Sequence, residues 1–149
     1  MSVLAHDPKS LEVLIADDHD LFALGIEQTL AYCPDMTVVG RVADGAEAIA
    51  LASALRPHVV LMDVSMPRVD GILATREITD TLEGTRVVIL SGHRDLETVC
   101  RARAAGAAAY LSKGCPVDEM LSVVREVADW RSDGLELLER LPAAVAVAH

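Results

Sequence analysis

Residues Val59-Val60-Leu61-Met62-Asp63-Val64-Ser65-Met66-Pro67 read VVLMDVSMP. The first four side chains are apolar without alternation, as a β-strand covered on both faces requires. A parallel sheet between two layers of helices supplies that cover. The run then ends in a carboxylate and turns at a proline. A charge at the edge of a core costs free energy unless something pairs with it. Asp63 is therefore either a turn cap or a chemical group delivered to that edge.

Two further runs share the pattern, VLIA at Val13–Ala16 and VVIL at Val87–Leu90. MTVVGRV (Met36–Val42) partly alternates and suits an edge strand, and AAAYL (Ala107–Leu111) is a fifth candidate. Helical spacing fills the gaps. LFALGIEQTLAYC (Leu21–Cys33) stops before Pro34. DGAEAIALASALR opens with Asp44 and Glu47 in a capping pattern. GILATREITDTL, DLETVCRARAAG and PVDEMLSVVREVADW complete five helices, with Gly106 at a helix terminus and Pro116 in the first turn of the last. Strand and helix thus alternate five times. The expected architecture is a flavodoxin-like α/β fold, a (βα)5 doubly wound five-stranded parallel sheet in the order 2-1-3-4-5.

Composition agrees and narrows the function. The 149 residues suffice for one domain with a real core, and 52% hydrophobic with 3% aromatic residues make that core aliphatic. The net charge of -10 repels phosphate backbones, so direct nucleic-acid binding by this chain is not expected. Cys33, Cys100 and Cys115 follow no metal-ligand spacing, and Cys100 and Cys115 read as small apolar fillers. With no signal-peptide pattern and no membrane-length apolar run, the expected location is the cytoplasm and no membrane partner is expected.

In open α/β sheets the ligand site lies beyond the carboxyl ends of the strands, at the switch point between strands one and three. Strand one ends in Asp17 and Asp18, strand three in Asp63, strand four in Ser91 and strand five in Lys113. Three clustered carboxylates repel one another, and a hard divalent cation such as Mg²⁺ relieves this. A carboxylate nucleophile, a metal, an ammonium and a hydroxyl are the parts needed to transfer and hold a phosphoryl group. Each part has a plainer reading as a solvated loop acid, a loop serine or a surface lysine. Convergence on one edge favours the site. His19 follows the acid pair, but no second histidine or cysteine stands at ligand spacing to support a transition-metal role.

ADDHD, MDVSMPRVDG, ILSGH and AGAAAYLSK together resemble the receiver domain of two-component response regulators, over roughly Leu11 to Asp129. ADDH with LSKG is most similar to the subfamily carrying a helix-turn-helix (NarL/LuxR-type) output domain. The resemblance implies that Asp63 is the phosphoacceptor, taking a phosphoryl group from a sensor histidine kinase. Asp17, Asp18, Asp63 and the backbone carbonyl of Ser65 would hold Mg²⁺. Ser91 would be the switch hydroxyl, Tyr110 the aromatic that changes rotamer with it, and Lys113 the phosphoryl partner. Phosphorylation would drive homodimerisation or control an output domain. Residues 11–130 would form the receiver, and 131–149, too short for a helix-turn-helix domain, a linker or tail. Trp130 is expected far from the crevice, unresponsive to Mg²⁺. The rival readings are a Mg²⁺-dependent aspartyl phosphatase, for which Ser65 stands where a second acid is wanted, and a phosphorylation-independent interaction module.

Overall fold

The structure is a computed structural model and describes residues 10–129. Trp130 and the tail at 131–149 lie outside the described residues. The chain runs β1 (Leu11–Ala16), α1 (Asp20–Ala31), β2 (Met36–Val42), α2 (Gly45–Leu55), β3 (Val59–Met62), α3 (Gly71–Thr81), β4 (Arg86–Ser91), α4 (Leu96–Ala104), β5 (Ala109–Ser112) and α5 (Val117–Ala128). The five strands pair in the order β2-β1-β3-β4-β5, every pairing parallel. This is the architecture expected from the sequence, with MTVVGRV at an edge.

Strand periodicity explains why the apolar runs do not alternate. Successive side chains point to opposite faces, and here both faces are dry. Val13, Ile15, Val59, Leu61, Val88 and Leu90 pack with Leu30 of α1 and with Val123, Val124 and Val127 of α5. Leu14, Ala16, Val60, Met62, Val87 and Ile89 pack with residues of α2, α3 and α4, among them Ala52, Ile78 and Ala102. All four residues of β3 are buried. Because VVLM is covered on both sides, its carboxyl end emerges at one defined place.

Local sequence sets the helix boundaries. The carboxylates of Asp44, Asp70 and Asp95 accept the N–H groups of Glu47, Leu73 and Thr98, so each caps its helix. α1 ends at Ala31, two residues short of the expected Cys33, because a residue before proline is driven out of helical backbone. Pro116 is the N-cap of α5 rather than a residue of its first turn. β5 begins at Ala109 rather than Ala107, because the chain leaves α4 through Gly106, whose φ of +102° suits only glycine. Cys100, read as a core filler, is exposed on α4, whereas Cys33 and Cys115 pack against the α1/α5 core.

The segment after β3 is held closely. The N–H of Gly71 donates to the carbonyl of Val64 at 2.8 Å. A Cβ on Gly71 would lie 1.8 Å from the carbonyl oxygen of Asp63. We expect Gly71→Ala to destabilise the fold by about 3 kcal/mol, the upper range for overpacking, read as a lowered midpoint in urea unfolding. An unchanged midpoint would mean that α3 does not start this close to Asp63.

Candidate functional site

The sheet ladder continues past the strands into the crevice. Asp63 donates its N–H to the carbonyl of Ala16 at 2.9 Å, Asp17 to Val42 at 3.0 Å and Lys113 to Ser91 at 2.9 Å. The backbones of three site residues are thereby fixed by the same bonds that hold the sheet. The charges meet above it. Lys113 Nζ lies 2.9 Å from Asp17 Oδ2 and 3.3 Å from Asp63 Oδ2. Asp17 and Asp63 are only 5% and 3% exposed, so water can do little to screen them from each other. Asp18 stands at the rim, exposed.

Burial, followed by repulsion from Asp17, pushes the carboxyl of Asp63 above its ordinary range, and Lys113 opposes the shift. Three carboxylates against one ammonium leave the cluster short of positive charge. Asp63 Oδ2 is buried and accepts no hydrogen bond. Such an atom is a defect in a purely structural cluster, but it suits a position reserved for a cation or a reacting group. The donor set, carboxylates open to solvent on one side, fits a hard cation that keeps several waters.

His19, Phe22 and His93 also belong to the site, although spacing along the chain points to none of them. His19 is the N-cap of α1, yet its ring makes no capping bond. The ring turns inward, with Nδ1 at 3.0 Å from Asp17 Oδ1, 3.4 Å from Asp18 Oδ1 and 3.5 Å from Asp63 Oδ2. Its partners come from just past the end of β1 and from the residue just past β3, a grouping that sequence spacing could not reveal. Phe22, one turn into α1, places its ring 4.7 Å from Lys113 Nζ and gives the ammonium an aromatic face.

On the opposite wall, His93 ties the loops together. Its Nε2 lies 2.9 Å from Ser65 Oγ, and its N–H donates to Ser91 Oγ at 2.9 Å. Its carbonyl accepts the Tyr110 hydroxyl at 2.6 Å. Ser91 is wholly buried and Tyr110 is 5% exposed, so the tyrosine lies packed inward. Burial raises its phenol above the ordinary range. His19, Leu21, Phe22, Asp63, Ser65, Gly92, His93 and Lys113 enclose an open crevice of about 480 Å³.

A second contact fixes the floor of the loop after Asp63. Arg68 adopts left-handed backbone at φ 65° and places its guanidinium 2.7 Å from Asp44 Oδ2. The N–H of Gly45 donates to the carbonyl of Val69 at 3.0 Å. Bonds from Glu47 N–H and from Arg68 hold Asp44 below the usual carboxylate range.

Residues 13–125 match the response regulator receiver domain, and the chain belongs to that family. Response regulator GacA of Pseudomonas aeruginosa is 38% identical over 117 residues, 78% of this chain and 55% of that protein. The transcriptional regulatory protein DegU of Brevibacillus brevis is 36% identical over 118 residues, 79% of this chain and 50% of that protein. The signal receiver domain of the putative response regulator NarL from Mycobacterium tuberculosis overlays 83% of this chain and 100% of its own, with a TM-score of 0.79 at 34% identity. The chain spans about half the length of the two full-length relatives. No helix among the described residues is long and apolar enough to cross a membrane.

The raised carboxyl of Asp63 has a consequence for stability. A carboxyl whose folded pKa exceeds its unfolded one favours folding below the unfolded pKa and loses that contribution as pH rises through the folded pKa. In chelator at pH 7, Asp63→Asn should therefore melt above the wild type. The advantage should shrink as the pH falls from the raised pKa of Asp63 down to the ordinary carboxylate range and be gone below it. Thermal unfolding at a series of pH values tests it, and a wild type more stable than Asp63→Asn at pH 7 would contradict the cause assigned above.

Proposed function

We propose that this chain is a phosphorylation-controlled switch in which Asp63 accepts a phosphoryl group from a phosphohistidine of a sensor histidine kinase. The observation that carries the reading is Asp63 Oδ2 itself, buried and held by no well-formed hydrogen bond, with only the Lys113 ammonium at 3.3 Å to pair with it. A buried carboxylate facing a single ammonium is a nucleophile in waiting rather than a satisfied structural acid.

Asp17, Asp18, Asp63 and the backbone carbonyl of Ser65 would hold Mg²⁺. Bound there, the ion supplies charge neutralisation for the phosphoryl oxygens and the carboxylates. The protein's own groups do the remainder. An oxygen of Asp63 forms the new bond to phosphorus as the phosphorus–nitrogen bond to the kinase histidine breaks, and that nitrogen takes back a proton. Lys113, anchored on Asp17 and on the face of Phe22, is within reach of an oxygen on the new acyl phosphate. The added group carries a charge near -2 and acceptor oxygens. Ser91 would turn its hydroxyl toward them, giving up the N–H of His93, and Tyr110 would follow because its hydroxyl is bonded to the His93 carbonyl. A coupling of about 1–3 kcal/mol between the site and the α4–β5–α5 surface suffices for useful control.

Residues 11–130 would form the receiver. We further propose that it acts in the cytoplasm, that phosphorylation promotes a homodimer or releases an output function, and that the chain by itself does not bind nucleic acid. Its only chemistry would be its own phosphorylation and dephosphorylation. A phosphatase acting on external phosphoesters is disfavoured because Ser65, not an acid, stands two residues after Asp63.

Incubation with acetyl phosphate and Mg²⁺ should add one acid-labile, hydroxylamine-sensitive phosphoryl group per chain, counted by intact-protein mass. Asp63→Asn should take none, and Lys113→Ala should be labelled but fail to change its oligomeric state. Label retained in Asp63→Asn would remove Asp63 from the role. Steady multiple turnover of small phosphoesters would favour the phosphatase instead.

A further inference from the structure

We propose that His19 is a nitrogen ligand of the acidic site and shifts its preference from Mg²⁺ toward first-row transition-metal cations. The proposal rests on the Mg²⁺ reading above and concerns which ion the same cluster favours.

Ligand atoms of Asp17, Asp18, His19 and Asp63 all lie within 4.8 Å of one another. An ion with bonds of about 2.1 Å sets opposite donors about 4.2 Å apart, so closing by roughly half an ångström would let all four reach one cation. The pointing of the ring adds an independent argument. Nδ1 is 3.0 Å from Asp17 Oδ1 and 3.1 Å from Lys113 Nζ. One ring nitrogen cannot donate to the carboxylate and accept from the ammonium at once. Where it accepts from Lys113, the ammonium is the cation that holds the ring beside the carboxylates, and a metal ion in the cluster would take that place on Nδ1. The buried, undonated Oδ2 of Asp63 points into the same place.

The lysine need not block the ion. Its ammonium also has the Phe22 ring 4.7 Å away, so it keeps an attractive partner when the carboxylates turn to a metal. The backbone is set for ligation as well. His19 N–H donates to Asp17 Oδ1 at 2.8 Å, which holds residues 17–19 in a tight turn with both side chains on one side. The ring is 64% exposed, leaving it free to adjust by the small distance required.

The chemistry separates the candidate ions. Mg²⁺ prefers oxygen donors and water and gains little from imidazole. Affinity for mixed nitrogen and oxygen sites rises from Mn²⁺ through Ni²⁺, and imidazole suits these ions. The cluster would therefore bind Ni²⁺ or Zn²⁺ more tightly than an all-oxygen site does, without losing Mg²⁺.

Calorimetric titration of the full chain with MgCl₂ and with NiCl₂ tests the proposal. In His19→Phe, which keeps a ring without a donor atom, Ni²⁺ affinity should fall about tenfold or more, as expected for loss of a ligand, while Mg²⁺ affinity stays within about twofold. His19→Gln, which keeps a polar side chain, should give the same pattern. Pulsed EPR of the Mn²⁺ form should show nitrogen modulation in the wild type that is absent from His19→Phe. Modulation that persists in the variant, or affinities for both ions that fall together or not at all, would overturn the inference. A wild type that binds Ni²⁺ in a His19-dependent way but not Mg²⁺ would overturn the Mg²⁺ reading and leave this one standing.

Discussion

The concentration of like charge at the carboxyl edge of the sheet is the constraint around which the rest is arranged. Asp17 and Asp63 are almost fully buried and share the single ammonium of Lys113. A unit-charge pair at about 4 Å gains roughly 4 kcal/mol at an effective dielectric of about 20, while removing each ion from water costs several kcal/mol. One lysine therefore cannot offset two buried carboxylates and a third at the rim. The domain folds with this deficit because its stability comes from elsewhere, from two aliphatic layers that cover every residue of β3. An edge that is short of positive charge and rigidly built is ready to respond to a cation or to a change in phosphorylation.

The rigidity is built from the backbone. Asp63, Asp17 and Lys113 each extend a parallel ladder by one hydrogen bond beyond the strand. The loop after Asp63 is then fastened twice more, by Gly71 against the Val64 carbonyl and by Arg68 on Asp44. The opposite wall is held less directly, through side chains. Ser65, Ser91 and Tyr110 all meet at His93, so movement of any one must be felt by the others. A rigid acidic edge facing a wall joined by side-chain hydrogen bonds suits a switch, because the reaction stays in place while the wall can exchange one set of bonds for another.

Family and geometry support each other at different levels. Membership in the response regulator receiver domain family covers residues 13–125 and accounts for the fold and for the signalling class. His19 in the acid cluster and Phe22 over Lys113 give the site a nitrogen donor and an aromatic wall in addition to its carboxylates.

Local pattern was enough for the strands, their order and the cap of α2: VVLM and VVIL stand as unbroken apolar runs, and Asp44 stands just ahead of helical spacing with Glu47 three residues on. The matching caps by Asp70 and Asp95 emerged with the structure. The sequence also placed Asp17, Asp18, Asp63, Ser91 and Lys113 at one edge, since the strand order follows from the alternation of elements and the edge from the chain direction. Which way the side chains turn once they arrive there depends on contacts that exist only after folding. His19 could have capped α1 and instead faces three carboxylates; Cys100 could have filled the core and instead faces solvent; Tyr110 lies packed inward. Such choices depend on contacts between residues far apart in the chain, 94 positions for His19 and Lys113 and 28 for Ser65 and His93, and no local pattern encodes them.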